Sequence, residues 1–386
     1  MNSILLIVIF LIFALLTLVT ALVGSKIYRR RIHLWLWEYL AWQTKSWFLI
    51  KEGGKKKHVM LFITDHFEPR FGQVSSEKEM HRVKVWCEKY NSFSEQFKDS
   101  SGRLPQHTWF YPFDEKNDYC LSKLRELTER GLGEIEFHLH HSGDSGKTFE
   151  EKIKKGLEWF NRFGALISKR GDVRFGFIHG MYALANSDPR YCGVNNEISI
   201  LESFGCYADF TFPAYGTPSQ PRIINTLYYP AKNGNLPKSY DHGIELEVNR
   251  PGTGMILFEG PLYFDPVALR FDDGRVDQEY KLSHRRLRNW LRANVHVKGK
   301  PEWVFIKLFS HSAREKSREA FFSPETDRFY EFVISKSRRG LFVLHFVTAR
   351  EAFNIAKAAE HGEKGSDPME YVDYVVAPPV NRGPFR

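Results

Sequence analysis

Short runs of apolar, β-branched and aromatic residues recur along most of this chain, and helical stretches separate them. These runs predict strands over 59–64, 109–113, 133–141, 173–180, 207–213, 255–260, 303–311 and 341–347. Capping motifs and helical periodicity predict helices over 76–97, over 148–167, from 196 onward and over 348–361. Strands that alternate with helices are typical of a parallel sheet covered by helices. The pattern therefore predicts one barrel-like α/β domain.

A doubly wound nucleotide-binding sheet is the alternative arrangement for the same alternation. That class of protein carries a glycine-rich turn, GxGxxG or GxxxxGK[ST], directly after a strand. Neither motif follows a predicted strand in this sequence. The sequence therefore favours the barrel-like arrangement and disfavours a nucleotide phosphate as the ligand.

Ionisable residues collect where the predicted strands end. Active sites of parallel barrels lie at the carboxyl ends of the strands, so these residues are the first candidates for chemistry. They are Asp65 and His66 after the first strand, His138, His140 and His141 at the third, and then His179, Asp209 and His311.

His138 and His140 are two residues apart on a predicted strand, so their side chains point to the same face. Neutral imidazole is a common ligand of divalent metals, and a third ligand from Asp65 or His66 would complete an open catalytic site. Asp65 could instead act as a general base, or as the N-cap of the segment that follows. His311 could deliver a proton, because an unperturbed imidazole has a pKa of about 6.5. The alternative for His311 is a hydrogen bond to a neighbouring loop.

The order of these motifs resembles that of the polysaccharide deacetylase superfamily of metal-dependent carbohydrate esterases. The resemblance covers residues 57–358 and rests on ITDHF at 63–67, EIEFHLHH at 134–141, ADFTFP at 208–213 and IKLFSH at 306–311. It implies a distorted (β/α)7 barrel and a reaction that removes N-acetyl or O-acetyl groups from glycans.

The resemblance also implies roles for individual residues. Asp65 corresponds to the catalytic base, His311 to the general acid, and the histidines of 138–141 to ligands of a divalent metal, for which we expect Zn²⁺. The family's usual first motif has a metal-binding aspartate where this sequence has His66, and its second motif ends in a histidine where this sequence has Ser142. A divergent branch of the superfamily has a His-Leu-His motif instead. The predicted metal ligands are therefore His66, His138, His140 and His141.

Residues near the predicted strand ends could also contact a sugar. Tyr182 could stack on a sugar face, although packing in the core is an equal alternative for any single aromatic residue. We assign His179, Asp209 and Tyr182 to substrate binding.

The start of the chain predicts a transmembrane helix. Between Ile4 and Val23 only Thr17 and Thr20 are polar and no residue is charged, and a run of this length crosses a hydrocarbon core of about 30 Å. A cleaved signal peptide is the alternative, but it has a basic start and a shorter apolar run. Basic residues at 26 and 29–31 then place the rest of the chain in the cytoplasm by the positive-inside rule. An extracytoplasmic location is the alternative, because polysaccharide deacetylases commonly act on exported glycans.

We divide the chain into a transmembrane helix over 1–24, a basic and aromatic juxtamembrane segment over 25–56, a deacetylase-like barrel domain over 57–361 and a C-terminal tail over 362–386. In the juxtamembrane segment Trp35, Trp37, Trp42 and Trp47 suit the headgroup layer, or they dock an ordinary helix on the domain. The net charge is +9, from 55 Lys and Arg against 46 Asp and Glu. The densest basic runs adjoin the apolar segment, which favours lipid headgroups over nucleic acid as their partner.

The cysteines do not predict a metal ribbon or a disulfide scaffold. There are four in the chain, Cys87, Cys120, Cys192 and Cys206, and no two of them form a CxxC pair. Cys192 and Cys206 could pair with each other, but free cysteines are usually buried and we predict packed, reduced thiols.

Three functions compete at this stage. The one that we predict is a membrane-anchored, metal-dependent hydrolase that removes acetyl groups from a polysaccharide or glycan intermediate. The second is a glycosidase on the same barrel, which needs two carboxylates about 5–9.5 Å apart, with Asp65 or Glu68 paired with Glu259 or Asp209. The third is a catalytically degenerate glycan-binding or scaffold protein of polysaccharide biosynthesis.

Overall fold

The computed structural model describes residues 2–49, 56–232 and 236–384, so residues 50–55 of the predicted juxtamembrane segment lie outside the described residues. The helices are α1 (Asn2–Arg29), α2 (Leu36–Leu49), α3 (Ser76–Ser94), α4 (Asp118–Glu129), α5 (Gly146–Asn161), α6 (Glu197–Ser203), α7 (His284–Ala293), α8 (Glu315–Phe321), α9 (Pro324–Arg338) and α10 (Ala349–Glu360). The strands are β1 (His58–His66), β2 (His107–Pro112), β3 (Gly133–Leu139), β4 (Phe175–His179), β5 (Cys206–Asp209), β6 (Leu227–Pro230), β7 (Gly243–Glu245), β8 (Ile256–Phe258), β9 (Tyr263–Asp265), β10 (Arg270–Asp272), β11 (Arg275–Val276), β12 (Trp303–Ser310) and β13 (Val343–Phe346).

The fold is mixed α/β, with one large sheet in which most strands are parallel. The strand order is β11-β12-β1-β2-β3-β4-β5-β8-β6-β7, and β13 pairs with the first half of β1. The antiparallel pairs of this sheet are those of β6 with β7 and with β8, and β9 and β10 form a separate hairpin. Among the described residues β11 and β7 do not pair with each other, so the closed (β/α)7 barrel that the resemblance implies is not observed.

The central strands β1, β2 and β3 are buried on both faces, which explains their continuous apolar sequences, whereas the edge strand β7 is exposed. In β1, Val59, Leu61 and Ile63 pack in one core cluster with helices α3, α4 and α5. The alternate residues Met60 and Phe62 pack in a second cluster, whose members include much of α10. Each face of the sheet therefore has its own core.

Helix α10 is buried along its whole length. A capping box formed by Thr348 and Glu351 begins this helix, as the sequence predicts. The Ala349 amide donates to Thr108 Oγ1 at the start of β2 over 2.9 Å, and Arg350 binds Glu134 at the start of β3. The helix therefore lies at the amino-terminal ends of the strands, opposite the edge where the predicted site residues lie.

A network of buried arginines and glutamates surrounds this end of α10. Arg350 Nη2 lies 2.8 Å from Glu134 Oε1, and Arg103 Nη2 lies 2.7 Å from Glu351 Oε1. Arg382 in the C-terminal tail donates to the Gly133 carbonyl over 2.6 Å and lies 3.7 Å from Glu351. We call these five residues the arginine network. Through Arg382 the described part of the tail is attached to the domain.

Helix α1 is the one described helix long and apolar enough to cross a membrane, over Leu5–Arg29, although a signal sequence shares these properties. After it, α2 docks on the domain. Trp35 and Tyr39 are buried, and both rings pack edge-on against Phe271. Tyr39 Oη accepts a hydrogen bond from the Phe264 amide over 2.9 Å, whereas Trp37 keeps 77% of its surface exposed. Two of the predicted aromatic residues therefore dock the helix, and a third faces outward.

Candidate functional site

Strand register brings several of the predicted residues to one edge of the sheet. In β1, Asp65 is aligned with Ser310 of β12 on one side and with Trp109 of β2 on the other. In β3, His138 is aligned with Ile178 of β4. The carboxyl ends of parallel strands meet at the same edge, so the residues that follow β1, β3 and β12 converge there.

Glu68 lies at the centre of this edge. Its Oε1 atom is 3.4 Å from His138 Nε2, 3.4 Å from His140 Nε2 and 4.0 Å from His311 Nε2. The Arg314 guanidinium binds the other carboxylate oxygen. Glu68 belongs to two groups of potential ligands, one with His66 and His311 and one with His138 and His140. Within each group of three, the ligand atoms lie within 4.8 Å of one another. We call the set the Glu68 cluster, and its members are Glu68, His66, His138, His140 and His311.

Hydrogen bonds on the far side of two imidazoles set which nitrogen faces Glu68. His138 Nδ1 lies 2.8 Å from the Ile178 carbonyl, which can only accept, so the proton is on Nδ1 and the lone pair is on Nε2. Within the described part of the chain, His138 Nε2 has no hydrogen-bond partner, and the atom is buried. His140 Nδ1 lies 3.1 Å from Asp114 Oδ2, and the His140 amide donates to Asp114 Oδ1 over 2.9 Å. A carboxylate or carbonyl behind each ring is how metal-binding histidines are usually held.

The electrostatics of the cluster differ from one ring to the next. Burial holds the pKa of His66 well below its ordinary value, because a charged His66 would be desolvated. Burial lowers the pKa of His311 to about 4, so this ring is neutral at pH 7. For His140, burial opposes the charge, but hydrogen bonds to Asp114 and Glu68 prevail and raise the pKa to about 10. His66 and His311 are therefore neutral and offer lone pairs, whereas His140 must release a proton when a metal ion binds.

The residues present fit a divalent metal. Two or more imidazoles with one carboxylate is a common ligand set for catalytic Zn²⁺, which keeps one position open. His140 and His311 are partly exposed, whereas His66 and His138 are buried. A cavity of about 160 Å³ adjoins the cluster and is lined by His140, His141, Ser142, Gly180, Met181 and Tyr191. The cavity gives a small substrate group a place beside the ligands.

Asp65, the predicted base, is fully buried next to the cluster. Its Oδ2 atom lies 3.0 Å from His107 Nε2 and also accepts from the Ser312 hydroxyl. Its Oδ1 atom accepts from the Ser312 amide over 2.9 Å. Because Ser312 follows His311, these bonds hold the segment that carries His311. This arrangement makes Asp65 a positioning residue as well as a candidate base.

The other predicted residues do not all lie at the Glu68 cluster. The Tyr182 ring lies 5.6 Å from the His66 ring and so adjoins the Glu68 cluster. Asp209 is buried and accepts from the amide and the hydroxyl of Thr211 over 3.0 and 2.8 Å. His141, predicted as a ligand, and His179, predicted to bind substrate, lie together in a separate cluster.

The segment that follows β4 is strained where it passes the site. Met181 and Tyr182 have φ values of 54° and 61°, and Ala185 and Asn186 have φ values of 49° and 55°. Residues other than glycine rarely adopt positive φ, and such strain persists only where the surroundings enforce it. Tyr182 is therefore held against His66 by a backbone that the surrounding packing maintains.

Sequence reasoning missed three participants. It considered Glu68 only for the glycosidase alternative, and it did not consider Asp114 or Arg314. Glu68 lies two residues beyond His66, which is a spacing that could have indicated it. Asp114 and Arg314 follow β2 and β12 in irregular or short helical segments, where no periodic pattern shows which way a side chain points.

Comparison with known proteins yields little. No protein-family profile matches the chain, and no curated protein matches it. An alpha-mannosidase from Enterococcus faecalis V583 aligns over 81% of this chain and 30% of its own, with 9% identity and a TM-score of 0.41. A protein from Parabacteroides distasonis described as a glycoside hydrolase/deacetylase aligns over 78% of this chain and 71% of its own, with 10% identity and a TM-score of 0.36. This chain thus spans less than a third of the mannosidase. Overlaps at these scores establish neither substrate nor activity.

Proposed function

We propose that this protein is a metal-dependent hydrolase that removes acetyl groups from a glycan. The observation that carries the proposal is the Glu68 cluster, in which one carboxylate and several imidazoles converge beside a cavity at the carboxyl ends of the strands. The resemblance of the strand-end motifs to polysaccharide deacetylases supports the choice of an acetylated glycan as substrate. Glu68, His138 and His140 would hold the ion, with His66 as a further ligand and His311 left free to handle a proton.

The residues of the site have separate tasks in this proposal. A divalent ion supplies Lewis-acid polarisation of an acyl carbonyl. The Ile178 carbonyl and Asp114 keep the Nε2 atoms of His138 and His140 directed at the ion's position. Arg314 offsets the charge of Glu68. Asp65 fixes the segment that carries His311 through Ser312. The imidazole of His311 would pass a proton to the leaving amine or hydroxyl.

Anchoring in a membrane is part of the same proposal. Helix α1 is exposed along its apolar length, and the β9–β10 hairpin beside its end exposes Val267 and Leu269 by 73% and 64%. Lys26 donates to the Leu269 carbonyl over 3.1 Å, so this hairpin lies next to the end of α1. Apolar residues flanked by basic ones suit the headgroup boundary of a bilayer. Flotation with liposomes should be lost when residues 2–24 are deleted. A reporter fused at the C-terminus shows on which side of the membrane the domain lies.

Metal content and acetate release together test the proposal. The full chain in detergent is the right material, because removing 25–56 would uncover the surface on which Trp35 and Tyr39 dock. We expect divalent metal in the purified protein and release of acetate from N-acetylated or O-acetylated oligosaccharides. Glu68→Gln and His138→Ala should lose both the metal of this site and the activity.

His81→Ala is the matched control, since His81 is an exposed histidine on α3. It should keep metal and activity. Metal content equal to that of wild type in both Glu68→Gln and His138→Ala would contradict the ligand assignment. Full metal content without any acetate release, over a panel of acetylated glycans, would favour the degenerate glycan-binding alternative.

The glycosidase alternative has less support among the described residues. Two of its candidate carboxylates, Asp209 and Glu259, are fully buried. Glu259 accepts from Gln220 over 2.9 Å and from the Asn225 amide, while Asp209 accepts from Thr211. Glycosidases need two carboxylates that face the scissile bond. Carboxylates bonded inward in this way do not face a substrate.

A further inference from the structure

Four potential metal ligands meet in a second place, next to the Glu68 cluster but separate from it. They come from the end of β3, the end of β4, the following loop and the first turn of α6, and they are His141, His179, Cys192 and Glu197. All four are buried, and their ligand atoms lie within 4.8 Å of one another. We propose that these residues, the Cys192 cluster, form a structural metal site, and that its natural occupant is Zn²⁺.

The orientation of the two imidazoles supports a metal. His179 Nδ1 lies 2.5 Å from the Gly180 carbonyl, which keeps the proton on that nitrogen and leaves the lone pair on Nε2. Among the described residues, this buried Nε2 atom has no hydrogen-bond partner, and it lies 3.5 Å from Glu197 Oε1. His141 Nε2 lies 3.2 Å from the same oxygen, and its Nδ1 lies 3.1 Å from Asp144 Oδ2 without hydrogen-bond geometry. Both rings thus direct Nε2 at Glu197, and in His179 a carbonyl accepts from Nδ1.

The other two ligands complete a set of four donors. Cys192 Sγ lies 3.4 Å from Glu197 Oε2 and accepts from the Val194 amide over 3.4 Å. The Ala185 amide donates to Glu197 Oε2 over 2.7 Å, which orients the carboxylate. A thiolate, a carboxylate and two neutral imidazoles carry two negative charges, so a divalent ion makes the buried group neutral overall. Burial of charge is tolerated when the charges are compensated in this way.

The ligand types favour one metal over others, and the number of ligands favours a structural role over a catalytic one. Sulfur and imidazole donors favour Zn²⁺ over Mg²⁺ or Ca²⁺, which prefer oxygen. Four protein ligands leave no open position, and that is the property of a structural site. The cluster joins β3 and β4 to the loop that leads into α6, and it holds Ala185, whose φ is 49°. The metal would therefore maintain the strained segment that places Tyr182 against the Glu68 cluster.

This inference does not depend on the hydrolase activity, because thiolate ligation has its own spectroscopic signature. Co²⁺ bound to a thiolate shows sulfur-to-metal charge-transfer absorption in the near ultraviolet, and Co²⁺ bound only to nitrogen and oxygen does not. We expect this band in the full chain in detergent after metal exchange with Co²⁺. It should persist in Glu68→Gln and in Cys206→Ala, which removes a buried cysteine outside the cluster, and it should vanish in Cys192→Ala.

Elemental analysis gives the second readout. We expect Cys192→Ala with Glu197→Gln to lose one equivalent of zinc relative to wild type, and Glu68→Gln to keep that equivalent. If the Cys192 variants do not fold, wild-type protein alone still tests the proposal through the Co²⁺ band. A Co²⁺-loaded wild-type protein without charge-transfer absorption would overturn it, as would unchanged zinc in folded Cys192→Ala. Loss of activity in Glu68→Gln with the band intact would separate the two sites.

Discussion

Strand β3 connects two buried polar regions whose charged groups are compensated in different ways. Glu134 at its start lies in the arginine network, and His138 near its end lies in the Glu68 cluster. At the start, three guanidinium groups face the two glutamates, and Asp373 adds a third carboxylate 2.9 Å from Arg350. At the end, imidazole nitrogens surround one carboxylate, and among the described residues His138 Nε2 has no hydrogen-bond partner.

The difference separates a structural network from a binding site. The three arginines of the arginine network face its two glutamates and Asp373, so the charges balance and no further ion is needed. The Glu68 cluster instead presents several lone pairs to one position, and such an arrangement is stable when a cation occupies it. Burial alone therefore does not indicate function, whereas buried lone pairs that converge on one position do.

The largest effect is expected from breaking the arginine network. Glu134→Ala leaves Arg350 buried without its closest carboxylate, and removing one partner of a buried pair costs about 3–5 kcal/mol in unfolding free energy. Denaturant unfolding in detergent measures this loss. Replacing both residues, as in Glu134→Leu with Arg350→Met, should recover part of the stability. A change below about 1 kcal/mol in Glu134→Ala would show that the network is solvated after all.

Removing metal with a chelator should destabilise the protein through the Glu68 cluster, which lies at the end of β3. Metal that binds only the folded state stabilises it by about 2.7 kcal/mol when the free ion is at a hundred times its dissociation constant. A strong chelator should therefore lower the melting temperature of wild type and of Glu134→Ala by similar amounts. The combined variant Glu68→Gln with Cys192→Ala should not respond. An equal response in that variant would place the metal elsewhere in the chain.

A smaller effect is expected for Asp65→Asn. The asparagine cannot accept from His107, the Ser312 amide and the Ser312 hydroxyl at once, so the segment that carries His311 should be less well fixed. Changes behind the ligands of a metal site typically cost about 10-fold to 100-fold in activity or metal affinity. Turnover should fall by this amount while metal content stays near wild type. Complete loss of turnover with full metal content would instead favour Asp65 as the base that abstracts the proton.

Glu136, midway between the two regions on β3, gives the smallest predicted effect. It is buried with Tyr207 and the Gly176 amide as its partners, and burial raises its pKa from 4.5 to about 8. Between these values the folded protein keeps a proton that the unfolded chain has released, so stability falls as pH rises, by about 1.4 kcal/mol per pH unit. Glu136→Gln removes this contribution. Unfolding at pH 6 and pH 7 should therefore show a shallower fall for the variant, and parallel pH profiles would contradict the assignment.

The sequence predicts the long strands well and the short elements poorly. The predicted strand over 59–64 corresponds to β1, and the predicted helix over 348–361 corresponds to α10. Strands such as β7 and β9 have three residues each, which is too few to show a period, and they exist because a neighbour pairs with them. The predicted helix over 76–97 corresponds to α3, and its N-cap is Ser75, whose side chain accepts from the Lys78 amide.

The same limit applies to the candidate sites. His138 and His140 stand out because one strand carries both, with the spacing that a shared ion requires. Cys192 and Glu197 meet His141 only in the folded chain, because they come from segments about fifty residues away along the sequence, and no local pattern joins them. Cys192 was predicted to pack as a reduced thiol, and it is indeed buried and free of disulfide bonds.

The pairing of β1 with β12 has a consequence for how the protein is made. During synthesis at about 5–20 residues per second, β1 waits roughly 10–50 s for about 240 further residues before its partner exists. Until then the edge of β1 that pairs with β12 is free, although β2 can already pair with the other edge, and the free edge must be kept from aggregation. His66 and His311, which flank this pairing, also cannot meet earlier. The Glu68 cluster is therefore completed only after β12 has been made, and a nascent chain cut before β12 should bind that ion less tightly than the full chain.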